Sequence, residues 1–328
     1  MKKRSLLVLA VVATAGLASA REDAWLQATS PHFTVITNGN ERQARHVAGQ
    51  FERMRTVFHA RFPEVEIDPV APIVVIAVRD QSDMRAIEPE AYLAKGSLEL
   101  GGLFLRAPDK NYVLMRLDAT GDYPFQIIYH EYTHLILGKG GEWLPLWLNE
   151  GTAQFYETTV IHDKDVVMGD PLPQARDVLR HDRSLPLQTL LAVDHNSPYY
   201  HREDKGSIFY AESWALTHYL INMDWQQHTH RISDYLDLVM QKVDSVTAAT
   251  RAFGDLNQLQ KRLTEYIGQP ALYHFTMPIA NGIDEATFKV QPLPRAAGGR
   301  VSRGFSGLQR TREGCAGIAR SGDERCSE

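Results

Sequence analysis

The stretch that decides the fold is "HEYTHLILGKGGEWLPLWLNEGTAQFYE", residues 130–157. It contains two apolar segments with polar residues inside them, separated by a glycine-rich loop at 138–141. Glycine is typical of the end of a helix and proline of the first helical turn, so Pro145 indicates where a second helix begins. The stretch predicts one helix at 124–138 and another at 145–158. Two amphipathic helices with ordinary polar faces are the simplest interpretation.

Two histidines lie four residues apart within the first of these helices. This spacing places both on one face of a helix, so His130 and His134 can direct their imidazoles to one point. Two imidazoles suit a zinc ion. Glu131 lies about 100° further round the helix, where its carboxylate can take a proton from water that a metal makes acidic. The apolar residues around the motif predict a buried face, which disfavours two ordinary surface histidines.

A catalytic zinc site needs a third protein ligand and keeps one position open for water. Glu150 lies in the second helix, and its neighbours are mostly apolar. An antiparallel helix can bring this carboxylate back to the metal, and Gly151 permits a close approach of helices. The alternative is a glutamate that faces solvent, but its apolar neighbours favour the ligand role. The sequence therefore predicts one zinc ion per chain, held by His130, His134 and Glu150.

The residues before this stretch predict a small sheet with packed helices. Residues 33–37 alternate large and β-branched side chains, as a strand does. Residues 72–78 are nearly all apolar, which is typical of a strand covered on both faces. Residues 101–105 and 112–117 predict two further strands, and residues 41–62 have apolar side chains at helical spacing.

After Asp118 the pattern becomes helical. Beyond the two central helices, apolar spacing predicts helices at 187–193, 207–221, 233–243 and 256–267, with a short extended piece at 163–167. We therefore predict an α+β fold with two lobes. A small mixed sheet lobe with helices covers residues 21–120, a mainly helical lobe covers residues 121–295, and a cleft lies between them.

The start of the chain has the features of an export signal. A positive end at residues 2–4 precedes a short apolar run at 6–17, and residues 18–20 form a small-residue cleavage site. We expect this signal peptide, residues 1–20, to be removed, which leaves a mature protein in the periplasm or outside the cell. An uncleaved membrane anchor is disfavoured because the apolar run is short for a bilayer, and no later segment of the sequence is predicted to span one.

The charge balance excludes some classes of partner. The formal net charge is −5, and loss of the three positive residues of the leader makes the mature chain −8. Nucleic acids and anionic membranes need basic surfaces, so we expect neither as a partner.

The last segment differs in composition from the rest of the chain. Residues 296–328 are rich in glycine and arginine and lack apolar periodicity, which predicts a disordered tail. A natural flexible tail and a C-terminus altered by a shifted reading frame both fit this change. The tail contains the only two cysteines, Cys315 and Cys326, so any metal bound elsewhere must be held by nitrogen and oxygen ligands.

The motifs "HEYTH", "LPLWLNEG" and "FYAESWALTHYL" together resemble the gluzincin metallopeptidases, and among them a peptidase-MA-like bacterial group. The resemblance covers most of the mature chain. It implies bound zinc, a two-lobe zincin-like fold with the active site in the cleft, and hydrolysis of peptide bonds. In that family a tyrosine of the third motif faces the zinc, and the matching residue is Tyr210. Its phenol would donate a hydrogen bond to the oxyanion of the reaction, whereas the alternative is a tyrosine packed in the core.

The sequence also departs from its relatives. It lacks their helical repeats, and it lacks the glycine-x-methionine-glutamate-asparagine element that binds substrate amino termini in related aminopeptidases. The second absence favours an endopeptidase. We therefore expect an exported zinc peptidase that cleaves polypeptides, in which Glu131 is the general base and Tyr210 stabilises the oxyanion.

Several alternatives remain at this point. A zinc-stabilised binding or scaffold protein would need the metal ligands but not Glu131, and hydrolysis of a non-peptide amide would share the whole site. A polypeptide substrate would pair with an edge strand, either 101–105 or 112–117. Glu157 or Gln154 would hydrogen-bond a ligand imidazole. The sequence indicates no particular protein partner.

Overall fold

The structure is a computed structural model. It describes residues 25–63, 67–68, 72–87, 102–106, 110–119, 123–137, 144–162, 164–181, 184–194, 196–201, 203–279 and 282–293, with the backbone alone described for 102–106, 201 and 203–207. The predicted signal peptide, the predicted tail and the loop at 138–141 lie outside these ranges.

Strands and helices alternate in the first part of the chain, and helices dominate the second. The strands are β1 (Leu26–Thr29), β2 (Phe33–Thr37), β3 (Ile73–Val78), β4 (Gly102–Arg106), β5 (Asn111–Arg116), β6 (Val160–Ile161), β7 (Asp165–Met168), β8 (Phe275–Pro278) and β9 (Lys289–Pro292). The helices are α1 (Glu41–Arg61), α2 (Gln81–Ile87), α3 (Gln126–Leu137), α4 (Leu146–Glu157), α5 (Pro173–His181), α6 (Leu187–Leu191), α7 (Pro198–His201), α8 (Glu203–Gln227), α9 (Arg231–Met240), α10 (Ser245–Phe253) and α11 (Leu256–Ile267). Of these described helices, none combines the length and the apolarity needed to cross a membrane.

A six-stranded mixed sheet contains the strands in the order β4-β5-β3-β2-β1-β9. β3 pairs in parallel with β2 and with β5, whereas the pairs β4–β5, β1–β2 and β1–β9 are antiparallel. β4 and β9 are therefore the edges of this sheet. A smaller antiparallel sheet contains β6, β7 and β8.

Helix α1 packs on one face of the large sheet. The side chain of Asn40 accepts a hydrogen bond from the backbone N–H of Gln43, and the side chain of Gln43 accepts one from the backbone N–H of Asn40, so the two residues form a capping box at the start of α1. Buried side chains recur along the helix at helical spacing, as at Phe51 and Phe58, and pack in the same core as the sheet residues Val35 and Val75. The opposite face of β3 packs against α2.

Helix α4 belongs to two cores at once. Its first residues, Leu146, Trp147 and Leu148, pack in a core built from helices α5 to α11. Its last residues, Phe155 and Tyr156, pack in the core of the large sheet, which also contains the buried side of α3. The middle of α4 therefore lies where the two cores meet.

The mixed α+β class predicted from the sequence is confirmed. The range 256–267 predicted for a helix coincides with α11, and the predicted helix at 207–221 extends at both ends to become α8. β9 pairs with β1, so the large sheet contains residues from both sides of the predicted lobe boundary at residue 120. The prediction that 112–117 could be an edge strand is wrong, because β5 is paired with β3 on one side and β4 on the other.

Candidate metal centre

Helix α3 carries two histidines on a face that does not pack into the core of the large sheet. Ile128, Tyr132 and Ile136 are buried against the sheet core, and they leave His130 and His134 on a different face. The imidazole side chains are 19% and 16% exposed, respectively. Because both remain partly accessible, a ligand from solvent can reach them.

Helix α4 supplies the carboxylate that faces these histidines. The side chain of Glu150 is 7% exposed. The next residue, Gly151, packs directly against α8, and a Cβ placed there would collide with the side chain of Thr217 and the backbone carbonyl of Ser213. A glycine at this position therefore allows the close approach of α4 and α8, and the approach fixes Glu150. Close helix approach was predicted for Gly151, and α8 is the helix that it contacts.

The three predicted side chains converge on one point. The Nε2 atoms of His130 and His134 lie 3.1 Å apart. The Oε2 atom of Glu150 lies 3.6 Å from Nε2 of His130 and 3.4 Å from Nε2 of His134. Within the described ranges, these residues form a group of nitrogen and oxygen atoms that could hold a metal ion.

The remaining nitrogen of each imidazole is bound to an oxygen acceptor. Nδ1 of His130 lies 2.7 Å from Oε2 of Glu157, whose other oxygen accepts a hydrogen bond from the Gln126 side chain. Nδ1 of His134 lies 3.1 Å from Oδ1 of Asn149. Each Nδ1 therefore donates a proton to its acceptor, which leaves the lone pair of each Nε2 for a metal ion at the shared point once the metal displaces any proton there. Such partners orient metal-binding histidines in proteins.

The donor set fits a zinc ion. Zinc lies about 2.0–2.1 Å from nitrogen and oxygen ligands in tetrahedral sites, which separates the ligand atoms by about 3.3 Å. The three separations among Nε2 of His130, Nε2 of His134 and Oε2 of Glu150 are 3.1, 3.4 and 3.6 Å. Two neutral imidazoles and one carboxylate also match zinc in chemical preference, since the set contains no sulfur.

The electrostatics of the cluster favour a positive charge at its centre. Burial lowers the pKa of His130, but hydrogen bonds with Glu150 and Glu157 outweigh burial and raise that pKa to about 10. Burial raises the pKa of Glu150, but hydrogen bonds from His130 and His134 bring it down to about 2. The carboxylates around the two rings thus stabilise a cation, and a metal ion or a proton can provide it.

Two further predicted residues lie near this cluster. Glu131 is half-buried, and no hydrogen bond or salt bridge within the described part of the chain engages its carboxylate. Tyr210, on α8, packs beside Tyr200 with ring centroids 6.3 Å apart. Burial and then the negative charge of Glu150 raise the pKa of Tyr210, and Glu131 adds to this effect. The tyrosine therefore stays protonated near neutral pH, and its hydroxyl is hydrogen-bonded to Tyr200.

The contacts of the two candidate orienting residues differ. Glu157 bonds His130, as one of the two alternatives predicted. Gln154 does not, and its buried Oε1 finds no hydrogen-bond partner among the residues that the structure describes. Asn149 and Gln126 were missed by the sequence reasoning. Asn149 directly precedes Glu150 in the sequence. This position could have indicated its role, because the same turn of α4 then carries the carboxylate of the candidate metal site and the acceptor for His134.

Comparison with known proteins finds no matching family model and no matching curated protein. The relation of this chain to the gluzincins therefore stays a prediction from its motifs.

Proposed function

We propose that this protein is an exported zinc metallopeptidase, and specifically an endopeptidase of gluzincin type. The observation that carries the proposal is the geometry of three side chains. Both Nε2 atoms face Oε2 of Glu150 while both Nδ1 atoms are held by Glu157 and Asn149. When bound there, zinc would acidify a coordinated water and polarise a carbonyl.

The number of ligands supports a catalytic rather than a structural metal. Structural zinc sites are closed by four protein ligands, whereas catalytic sites use three and keep one position for water or substrate. The group formed by His130, His134 and Glu150 offers three ligand atoms within the described residues. This count disfavours the alternative of a zinc-stabilised scaffold protein without turnover.

Glu131 is the candidate general base. It follows His130 on the same helical turn, is half-buried, and has a carboxylate that no described residue pairs. A carboxylate in this position can accept the proton of the attacking water and pass it to the leaving amine. A structural metal site would not require this residue.

Tyr210 is the candidate donor to the oxyanion. Its hydroxyl is kept protonated by burial and by the charge of Glu150. A neutral phenol can donate a hydrogen bond to the negative oxygen that develops on the carbonyl. Loss of this donor should lower the turnover number more than the affinity for substrate, because the negative charge develops only in the transition state.

β4 is the candidate strand for substrate binding. It is an edge of the large sheet, and among the described strands only β5 pairs with it. A polypeptide in extended form can add to such an edge through backbone hydrogen bonds, which recognise no particular sequence. Helix α3 packs against β4. This arrangement supports a substrate that continues on both sides of the site, as in an endopeptidase.

The direct test combines metal analysis with digestion of a denatured generic protein. The chain purified without its first twenty residues should contain about one zinc per molecule and cut within the substrate. A chelator should remove both the zinc and the activity, and added zinc should restore them. One zinc per chain without any cleavage would support the scaffold protein instead, and cleavage of amide substrates but not of polypeptides would support a different amidase.

A further inference from the structure

Glu212 is a buried acidic residue that the proposed mechanism does not use. It lies on α8, and only 2% of its surface is exposed. Its Oε1 accepts a hydrogen bond of 2.9 Å from the backbone N–H of Leu185, and the side chain of Ser184 also bonds the carboxyl group. The backbone of Leu185 therefore fixes one oxygen of this carboxyl group by direct contact.

The other carboxyl oxygen has no partner in the described part of the chain. Oε2 of Glu212 is buried and makes no hydrogen bond to any described residue. Buried polar atoms are almost always paired with protein, water or a ligand. Burial also raises the pKa of Glu212, to about 7, despite the hydrogen bonds from Ser184 and Leu185. This oxygen would be stabilised by a donor from outside the chain.

A cavity of about 200 Å³ lies beside Glu212. Leu179, Ala215, Leu263 and Ile267 form apolar walls, and Thr264 lies exposed at its mouth. Residues Ser184, Gln260 and Thr264 also line a larger groove of about 610 Å³, so the cavity has an entrance from the surface. An apolar cavity with few convergent polar groups is the usual form of a small-molecule site.

We propose that this cavity binds a primary ammonium group carried on a short aliphatic chain. The ammonium donates to Oε2 of Glu212, and the aliphatic chain lies against the apolar walls. This site contains none of the three metal-binding residues, so it does not depend on the proposed peptidase activity.

The charges around the cavity select a cation. A cation would stabilise the ionised form of Glu212, which burial otherwise disfavours, whereas an anionic ligand would be repelled by that form. Arg180 also lines the cavity, but its side chain is 54% exposed and its Nη1 atom lies 3.8 Å from Oδ1 of Asp177. Arg180 therefore has its own carboxylate at the surface, and Glu212 remains for the ligand.

The test is a titration of the zinc-loaded full chain with n-butylammonium chloride, followed by calorimetry and by the methyl NMR signals of Leu263 and Ile267. Sodium chloride at equal ionic strength is the blank. We expect saturable binding with shifts of these methyl signals. Butanol, which has the same chain length without the charge, should bind at least tenfold more weakly.

Three variants make the result decisive. Glu212→Gln should weaken butylammonium binding at least tenfold, and Thr264→Trp should block the mouth without touching the carboxylate, which keeps the test valid if the first variant does not fold. No saturable binding, or equal binding by both variants and the unmodified chain, would overturn the proposal. Binding that appears only in Arg180→Ala would also overturn it, because Arg180 would then be the natural occupant.

Discussion

Two histidine sites in this protein differ in what occupies their ring nitrogens. In the candidate metal centre, one nitrogen of each ring is bound to an acceptor, and the other faces a second histidine and Glu150. On α8, Nε2 of His218 donates to the carbonyl of Gly169 at 2.8 Å, and Nδ1 accepts from the hydroxyl of Tyr266 at 2.8 Å. The first group could hold a metal ion from outside the chain, whereas both ring nitrogens of His218 are bound within the chain.

The pKa values of the two histidines diverge for the same reason. Carboxylates around His130 raise its pKa to about 10, whereas burial among neutral partners lowers the pKa of His218 to about 4. Burial alone therefore does not identify a functional histidine. The useful distinction is whether the donors and acceptors of the chain satisfy both ring nitrogens.

The largest effect is expected from Glu131→Gln, which tests whether the site formed by His130, His134 and Glu150 is catalytic. The amide cannot accept a proton, so turnover should fall by a factor of about 10² to 10⁴ while zinc content stays unchanged. Kinetics on a peptide substrate with metal analysis of the same sample measures both. Glu265→Gln, a change of an exposed residue on α11, is the matched control and should leave both values unchanged. Equal turnover in Glu131→Gln would contradict the proposed mechanism.

His218 should make the stability of the protein depend on pH. Because the pKa of His218 is about 4 when folded and 6.5 in the reference state, the unfolded chain binds a proton that the folded chain excludes. This contribution is present above pH 6.5, and about 3 kcal/mol is lost as the pH falls to 4. In His218→Gln, the unfolding free energy should change less over this window, as measured by urea denaturation. His181→Gln, an exposed histidine change, should keep the unmodified slope, and an unchanged slope in His218→Gln would refute the assignment.

Gly151 connects the two sites, because it follows Glu150 and contacts Thr217, the residue before His218. Gly151→Ala should force α4 and α8 apart and lower the free energy of unfolding by about 1–3 kcal/mol. Thermal unfolding of the metal-free chain measures this effect. Gly268→Ala is the control, since the atoms nearest to its Cβ would lie 3.5 Å away, and it should change stability little. Equal stability of the two variants would mean that the close approach does not constrain Glu150.

The smallest effect is expected at Asn149. Asn149→Ala removes the acceptor for Nδ1 of His134 and should weaken zinc binding about tenfold. Competition with a chromophoric chelator measures the affinity. Asn149→Asp keeps an acceptor oxygen and should retain tight binding. If the alanine variant bound zinc as well as the unmodified chain, the orientation of His134 would depend on other contacts.

Local spacing predicted most of the candidate metal site, and long-range pairing explains what it missed. His130 and His134 follow from helical geometry, and Glu150 follows from the short connection between two helices. The contacts of Glu157 with His130 and of Asn149 with His134 depend on the rotation of α3 relative to α4. The spacing of residues in the sequence does not determine that rotation. β9 has no local signal, because its partner β1 lies at the other end of the described chain. The role of Tyr210 came from the resemblance and stays a prediction.

The pairing of Leu26 with Pro292 has a consequence for the order of folding. The large sheet needs residues 289–292 to cover the edge of β1, so this lobe cannot be finished while those residues are still being synthesised. Helices α8 to α11 can pack earlier, because their contacts are closer in sequence. The incomplete sheet is therefore the part of the nascent chain with the longest need for protection against strand-to-strand association.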